Sequence, residues 1–278
     1  MEITAADVMK LRKMTSAGMM DCKKALIEAE GDFEKAVDII REKGKLVAAK
    51  RADRETTEGA VLTRVNGGKA IITCLGCETD FVSATPDFKA LAAEIADAAI
   101  ANFPADAEGL KAAKCSNGHT VEEEISAQTG KTGEKHVLAY YATLEAPYIA
   151  SYIHFNNKLG AIVAFNKEVP EELGRGVAMQ VTSMSPVSVS EADCPKEVVE
   201  KELEIYKQQM ADDPKMANKP AAMLENIAKG KLSKFFKEST LEAQDFVQAD
   251  GKMSVAEYIK SVDKDAKVLA FKRFSLSD

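Results

Sequence analysis

Two cysteines, Cys74 and Cys77, stand in the spacing Cys-Leu-Gly-Cys. A redox pair of this spacing works when a helix N-terminus depresses one thiol pKa. Here the motif closes an apolar run, Ala70 to Leu75, that reads as a strand, so the helix is missing. Zinc would need two more ligands, and Cys115 and His119 could supply them. Their spacing around Asn117-Gly118 matches no specific finger pattern. A zinc- or thiol-dependent enzyme using Cys74 and Cys77 is therefore the alternative reading, set against buried structural thiols. His119, His136 and His154 are the only histidines. They stand far apart in sequence, with no evident nucleophile partner. There is no phosphate loop of the GxxxxGK[ST] kind and no dinucleotide fingerprint. The expectation is a protein that is not an enzyme, with no cofactor and no catalytic residue.

A different chemistry sits just downstream. Thr79-Asp80-Phe81-Val82 puts a carboxylate beside an aromatic ring, and its meaning depends on the elements around it. Val61, Thr63 and Val65 alternate like a half-buried strand, and Asn66-Gly67-Gly68 signals a hairpin turn. Ala70 to Leu75 is the returning strand. Thr85 can cap a helix with Pro86 at its first position, and Phe88, Leu91, Ala92, Ile95 and Ala99 form its apolar face. The same order returns later. Tyr148 to Phe155 is strand-like, Asn156-Asn157-Lys158 is a turn, and Leu159 to Phe165 is a second strand. A helix follows from about Pro170, with Leu173, Val177, Val181 and Met184 on one side, and Ser185-Pro186 ends it. The second unit joins strand to helix briefly. The first inserts Gly76 to Thr85, longer than a typical connection. The insertion is either a contact tip or an inert turn in which Phe81 tucks into its own core.

Residues 1 to 44 read as three short helices. Thr4 with Asp7 resembles a capping box, followed by Val8, Leu11 and Met14. Ser16-Ala17-Gly18 breaks the pattern. Cys22, Ala25, Leu26 and Ala29 make a second stripe; Phe33, Ala36, Val37 and Ile40 make a third, capped by Asp32 and stopped by Gly44. Such a small head buries little surface, and modules of this size commonly bind partners. Met19 and Met20 fall at the turn between helices; their thioethers suit either an adaptable contact surface or gap filling. Residues 45 to 58 read as a linker or an exposed helical extension.

After Pro195 two apolar-striped helices, broken at Asp212-Asp213-Pro214 and resumed after Pro220, read as an antiparallel helical hairpin arm. A short helix from Ser254 to about Val262 and a closing strand from Val268 to Phe274 complete the chain. The expected fold class is α+β, built on a duplicated hairpin-plus-helix core. Its expected parts are a helical head and linker over 1–55, core halves over 56–142 and 143–190, an arm over 191–238 and a C-terminal module over 239–278. A closing strand from 267–274 completes the second half. The chain has 278 residues, 46% of them hydrophobic, and a formal net charge of -7. That acidity disfavours non-specific nucleic-acid binding. No apolar run approaches the ~20 residues of a membrane helix. Met1-Glu2-Ile3-Thr4 lacks the start of a signal peptide. The odd count of five cysteines argues against a disulfide framework. Together these imply a cytoplasmic protein without a membrane.

Three stretches together resemble the bacterial translation elongation factor Ts family. They are Leu11-Arg12 through Thr15-Ser16-Ala17-Gly18-Met19-Met20-Asp21-Cys22-Lys23-Lys24-Ala25-Leu26, then Glu78-Thr79-Asp80-Phe81-Val82, then Ser151-Tyr152-Ile153-His154 with Gly160-Ala161-Ile162-Val163-Ala164-Phe165. The resemblance implies guanine-nucleotide exchange on elongation factor Tu, bound in its GDP and nucleotide-free forms. It implies that the head is related to ubiquitin-associated domains and docks, through residues such as Arg12, Met19 and Met20, on the partner's nucleotide-binding domain. Thr79, Asp80, Phe81 and Val82 would form the tip that dislocates the partner's Mg²⁺, and His154 would touch another of its domains. Arm and tail would add contacts. The family often has Gly where Ser16 stands and a basic residue where Met9 stands; Lys10 and Arg12 are the nearby cations.

Overall fold

The computed structural model describes residues 3–15, 17–213, 219–249 and 252–277. Met1-Glu2, Ser16 and Pro214, named above as a chain start and two helix breaks, lie outside the described residues. The head is α1 (Ala5–Thr15), α2 (Met19–Glu28) and α3 (Phe33–Lys50). The Asp7 N–H donates to Thr4 Oγ1 at 3.2 Å and the Thr4 N–H to Asp7 Oδ2 at 3.0 Å, a reciprocal cap. Asp32 opens α3 by accepting the Glu34 and Lys35 N–H groups. Leu11, Cys22, Leu26 and Ala36 are fully buried between the three helices.

The first core half runs β1 (Glu58–Asn66), β2 (Lys69–Cys77), α4 (Asp80–Ser83), α5 (Pro86–Asn102), α6 (Ala107–Ala112), α7 (Val121–Thr132) and β3 (His136–Glu145). Its sheet has the order β1-β2-β3, all antiparallel. The second half runs β4 (Tyr148–Ile153), β5 (Leu159–Phe165) and α8 (Glu171–Met184). The chain then forms α9 (Lys196–Asp212), α10 (Ala221–Ser239), α11 (Val255–Val262) and β6 (Val268–Ser275), which completes a second sheet of order β4-β5-β6. Both hairpin turns need left-handed backbone, at Gly67 (φ +58°) and Asn157 (φ 56°), residue types that tolerate it.

In each sheet the second hairpin strand is central, which explains why β2 and β5 read as unbroken apolar runs. Ile71, Leu75 and Cys77 face α5, whereas Ala70, Ile72 and Cys74 face the other sheet. Val163 and Phe165 lie under α8, while Ile162 and Ala164 meet the first sheet. The halves thus join through one apolar layer between two sheets. The arm is less buried: among the described residues of α9 and α10, only Met210 and Ala228 are buried.

Two expectations change. Tyr148 to Phe155 is strand only to Ile153. Gly44 does not stop α3, which continues to Lys50. A Cβ at Gly44 would come within 2.7 Å of the Ser126 backbone oxygen, and one at Gly130 within 3.1 Å of the Gly44 Cα. Gly44 is therefore a crossing residue that lets α3 lie against α7, not a helix terminator.

Candidate functional site

The end of β2 positions the tip. Cys77 pairs with His136 in the last rung between β2 and β3. Immediately beyond it, backbone pairing gives way to two carboxylates working in opposite directions. Glu134 accepts the Thr79 N–H at 3.1 Å and the Thr79 hydroxyl at 2.7 Å. Glu78 accepts the Lys135 N–H at 2.6 Å. Glu78 also accepts two hydrogen bonds from Arg51 Nη1, at 2.9 and 2.8 Å. Its side chain is 14% exposed and that of Arg51 36%, so this is a half-buried ion pair. Burial opposes ionisation of Glu78, but the Lys135 amide and Arg51 outweigh it and lower the carboxyl pKa.

On this base sits α4, four residues that could not hold a helix alone. Thr79 caps it by accepting the Val82 N–H at 3.4 Å. The Ser83 hydroxyl donates to the Asp80 carbonyl, and the Thr85 hydroxyl donates to the Val82 carbonyl. Thr85 then accepts the Phe88 N–H and starts α5. Val82 turns inward against the α5 core. Asp80 and Phe81 turn outward, and Phe81 is 84% exposed. Phe81 therefore does not tuck into its own core, and its exposure forgoes roughly 2 kcal/mol of burial.

Arg12 is exposed in the last turn of α1, and Met19 and Met20 are exposed in the first turn of α2. His154 is half-buried at the β4–β5 turn; its Nδ1 lies 3.4 Å from the Tyr152 hydroxyl and its ring packs 4.5 Å from that of Phe155. Phe155, expected to lie in a strand, is 87% exposed in the turn. That turn is tied to β1 by the Val61 N–H on the Asn157 carbonyl, at 2.7 Å, and by Lys158 on Glu58, at 2.6 Å. Head, tip and His154 thus stand on three different parts of the fold. None of these eight residues lines the cleft of about 950 Å³ between α3, α7 and β3.

The cysteine chemistry does not assemble. Cys74 and Cys77 project to opposite faces of β2, and burial pushes both thiols up to about 12. Burial likewise raises Cys115 to about 11, and His119 pairs with Glu124 at 2.7 Å. No group of three or more candidate ligands among the described residues could hold a metal ion. No described helix is long and apolar enough to cross a membrane. Sequence reading missed Arg51, Glu78 as an anchor, Glu134 and Lys135. Their partners are distant in the chain and no local pattern announces them.

These features define a two-sheet α+β protein with a helical head and a helical hairpin, whose most exposed aromatic side chains stand on short, anchored turns. Comparison with known proteins makes the assignment specific. The family model described as elongation factor TS matches residues 78–278. A protein named elongation factor Ts from Christiangramia forsetii is 46% identical over 279 residues, covering 99% of each chain. One of the same name from Flavobacterium psychrophilum is 45% identical over 278 residues, covering 99% of this chain and 98% of that one. Another from Porphyromonas gingivalis is 42% identical over 277 residues, covering 100% and 99%. The chain belongs to the elongation factor Ts family and is a translation elongation factor.

Proposed function

We propose that this chain is a guanine-nucleotide exchange factor for elongation factor Tu, acting in the cytoplasm by protein binding and not by covalent catalysis. The observation that carries this reading is the outward pair Asp80 and Phe81, held on a short helix whose base is fixed by Glu134, Lys135 and Arg51. A single exposed apolar side chain is ordinary on a protein surface. One raised on an anchored turn beside a carboxylate is suited to insertion.

Bound GDP is held partly through Mg²⁺, which neutralises phosphate charge and bridges it to the protein. Phe81, entering between partner elements, moves the groups that hold the ion. The burial energy that Phe81 lacks in the free factor is recovered there. The factor binds the loosened state more tightly and so shifts the partner's population toward it. By linkage, nucleotide weakens the factor's binding by the same coupling energy, so incoming GTP helps release it. Arg12, Met19 and Met20 on the head, His154 on the second half, and the arm and tail supply further contact with either the GDP-bound or the nucleotide-free partner.

The test is release of labelled GDP from elongation factor Tu. Substoichiometric amounts of this chain should accelerate release, and each molecule should turn over many partners. No acceleration at saturating factor would overturn the reading.

A further inference from the structure

Arg51 closes α3, the helix that begins in the head, and Glu78 is the last residue before the tip. They are 27 positions apart in the chain, yet Arg51 Nη1 contacts both carboxylate oxygens of Glu78. Lys135 bridges the same two places. Its N–H reaches Glu78, while its ammonium donates to the carbonyls of Ala52 at 2.6 Å and Arg54 at 2.9 Å, just past the end of α3. Farther up, Arg41 of α3 meets Glu123 at 3.5 Å, and Gly44 lies against Gly130. The helix that leaves the head is thus seated along α7 and pinned at its end to the base of α4.

We propose that Arg51 and Glu78 are positioning residues for nucleotide exchange: they join the head's long helix to the tip, so that docking of the head is delivered as force and direction at Asp80 and Phe81. This rests on the exchange reading above. Remote binding energy raises a reaction's maximal rate only when it is coupled to the reacting part. With the joint intact, head contacts help drive the inserted state. With the joint cut, the same contacts only hold the two proteins together.

The test uses the full chain with wild type, Arg51→Ala, Glu78→Gln, the double variant, Met20→Ala alone and with Arg51→Ala, and Lys50→Ala. The last removes a neighbouring exposed charge that lies outside the joint. Two measurements are made: GDP release from elongation factor Tu against factor concentration, and amide hydrogen exchange of the free factor over residues 78–85. Arg51→Ala and Glu78→Gln should each lower the maximal release rate about fivefold, with little change in half-saturating concentration, and the double variant should be no worse than either. Residues 78–85 should exchange faster in all three, by a larger factor than β1 and β2. Met20→Ala should lower the maximal rate in the wild-type background but only raise the half-saturating concentration in Arg51→Ala. Lys50→Ala should match wild type.

A wild-type maximal rate in Arg51→Ala overturns the proposal. So do additive losses in the double variant, a loss confined to half-saturation, or unchanged protection over 78–85. If wild type itself fails to release GDP, the exchange reading has failed; the exchange pattern over 78–85 still reports whether the joint fixes the tip.

Discussion

Glu134 grips Thr79 twice, accepting its backbone N–H at 3.1 Å and its hydroxyl at 2.7 Å, across 55 residues of chain. Thr79 in turn caps α4, so one carboxylate fixes the first residue of the tip. A hydrogen bond to a charged acceptor contributes about 1.5–3 kcal/mol, and here two converge on a one-turn helix with little stability of its own. Glu134→Ala should lower the unfolding free energy by about 1–3 kcal/mol, raise amide exchange at Phe81 and Val82 most, and cut GDP release about three- to tenfold. Exchange rates at those two amides, with stopped-flow GDP release, check this.

Phe81 should separate stability from activity. It is 84% exposed, so truncation removes almost no packing from the free protein. Phe81→Ala should shift unfolding free energy by no more than about 0.5 kcal/mol. On the exchange reading proposed above, it should lower GDP release at least about tenfold. Urea unfolding beside the release assay reads both. Val82→Ala should do the opposite in the free protein, because Val82 packs on the core.

The pH dependence of stability should carry the Glu78 signature. Its folded pKa lies below its unfolded value of about 4.3, because the Lys135 amide and Arg51 outweigh the burial that opposes ionisation. A depressed carboxylate contributes stability that is fully present above the unfolded pKa and is lost as pH falls through the folded one. Glu78→Gln should therefore be less stable than wild type at pH 7. The gap should close as pH falls below about 4. A gap that stays constant down to pH 3 would deny Glu78 this role.

Buried thiols should be inert. Burial holds Cys74 and Cys77 near 12 and Cys115 near 11, so each stays protonated at neutral pH. A thiol reagent at pH 7.5 should label these three slowly in the native state and fully only after unfolding, and metal analysis should find no stoichiometric zinc. Cys74→Ala with Cys77→Ala should retain GDP release. Zinc loss together with lost release would restore the thiol or zinc reading.

Much of the architecture was legible because it follows local rules. The Thr85-Pro86 start of α5, the Asn66-Gly67 turn and the Thr4/Asp7 cap of α1 are short-range patterns, and each is present. That β6 closes the second sheet beside β5 agrees with a terminal strand tied into a sheet. The third strand of the first sheet, β3, was not read. Its residues His136 to Glu145 are mostly half-buried and do not alternate cleanly. Comparing the two halves picks out the insertion that carries Phe81 but leaves its exposure open and says nothing of its footing. Arg51, Glu78, Glu134 and Lys135 are ordinary surface-type residues in sequence, and only the fold brings them together.

Gly44 is the clearest case of a local rule overridden by packing, and it yields a paired prediction. By propensity, glycine inside a helix costs about 1 kcal/mol relative to alanine, so either Gly44→Ala or Gly230→Ala should stabilise an isolated helix. The two sites differ in what surrounds them. A Cβ at Gly230, in α10, meets nothing within 4 Å. At Gly44 it meets the Ser126 backbone oxygen at 2.7 Å, which cannot rotate away. Gly230→Ala should therefore raise stability by about 0.5–1 kcal/mol. Gly44→Ala should lower it by about 1–3 kcal/mol, the usual cost of overpacking, by forcing α3 off α7. Because Arg51 directly follows and caps α3, displacement of that helix should loosen the Glu78 joint. Gly44→Ala should then raise amide exchange over residues 78–85, and Gly230→Ala should leave that segment unchanged. Thermal unfolding of the two variants, with exchange over the tip, tests both the close crossing and its reach.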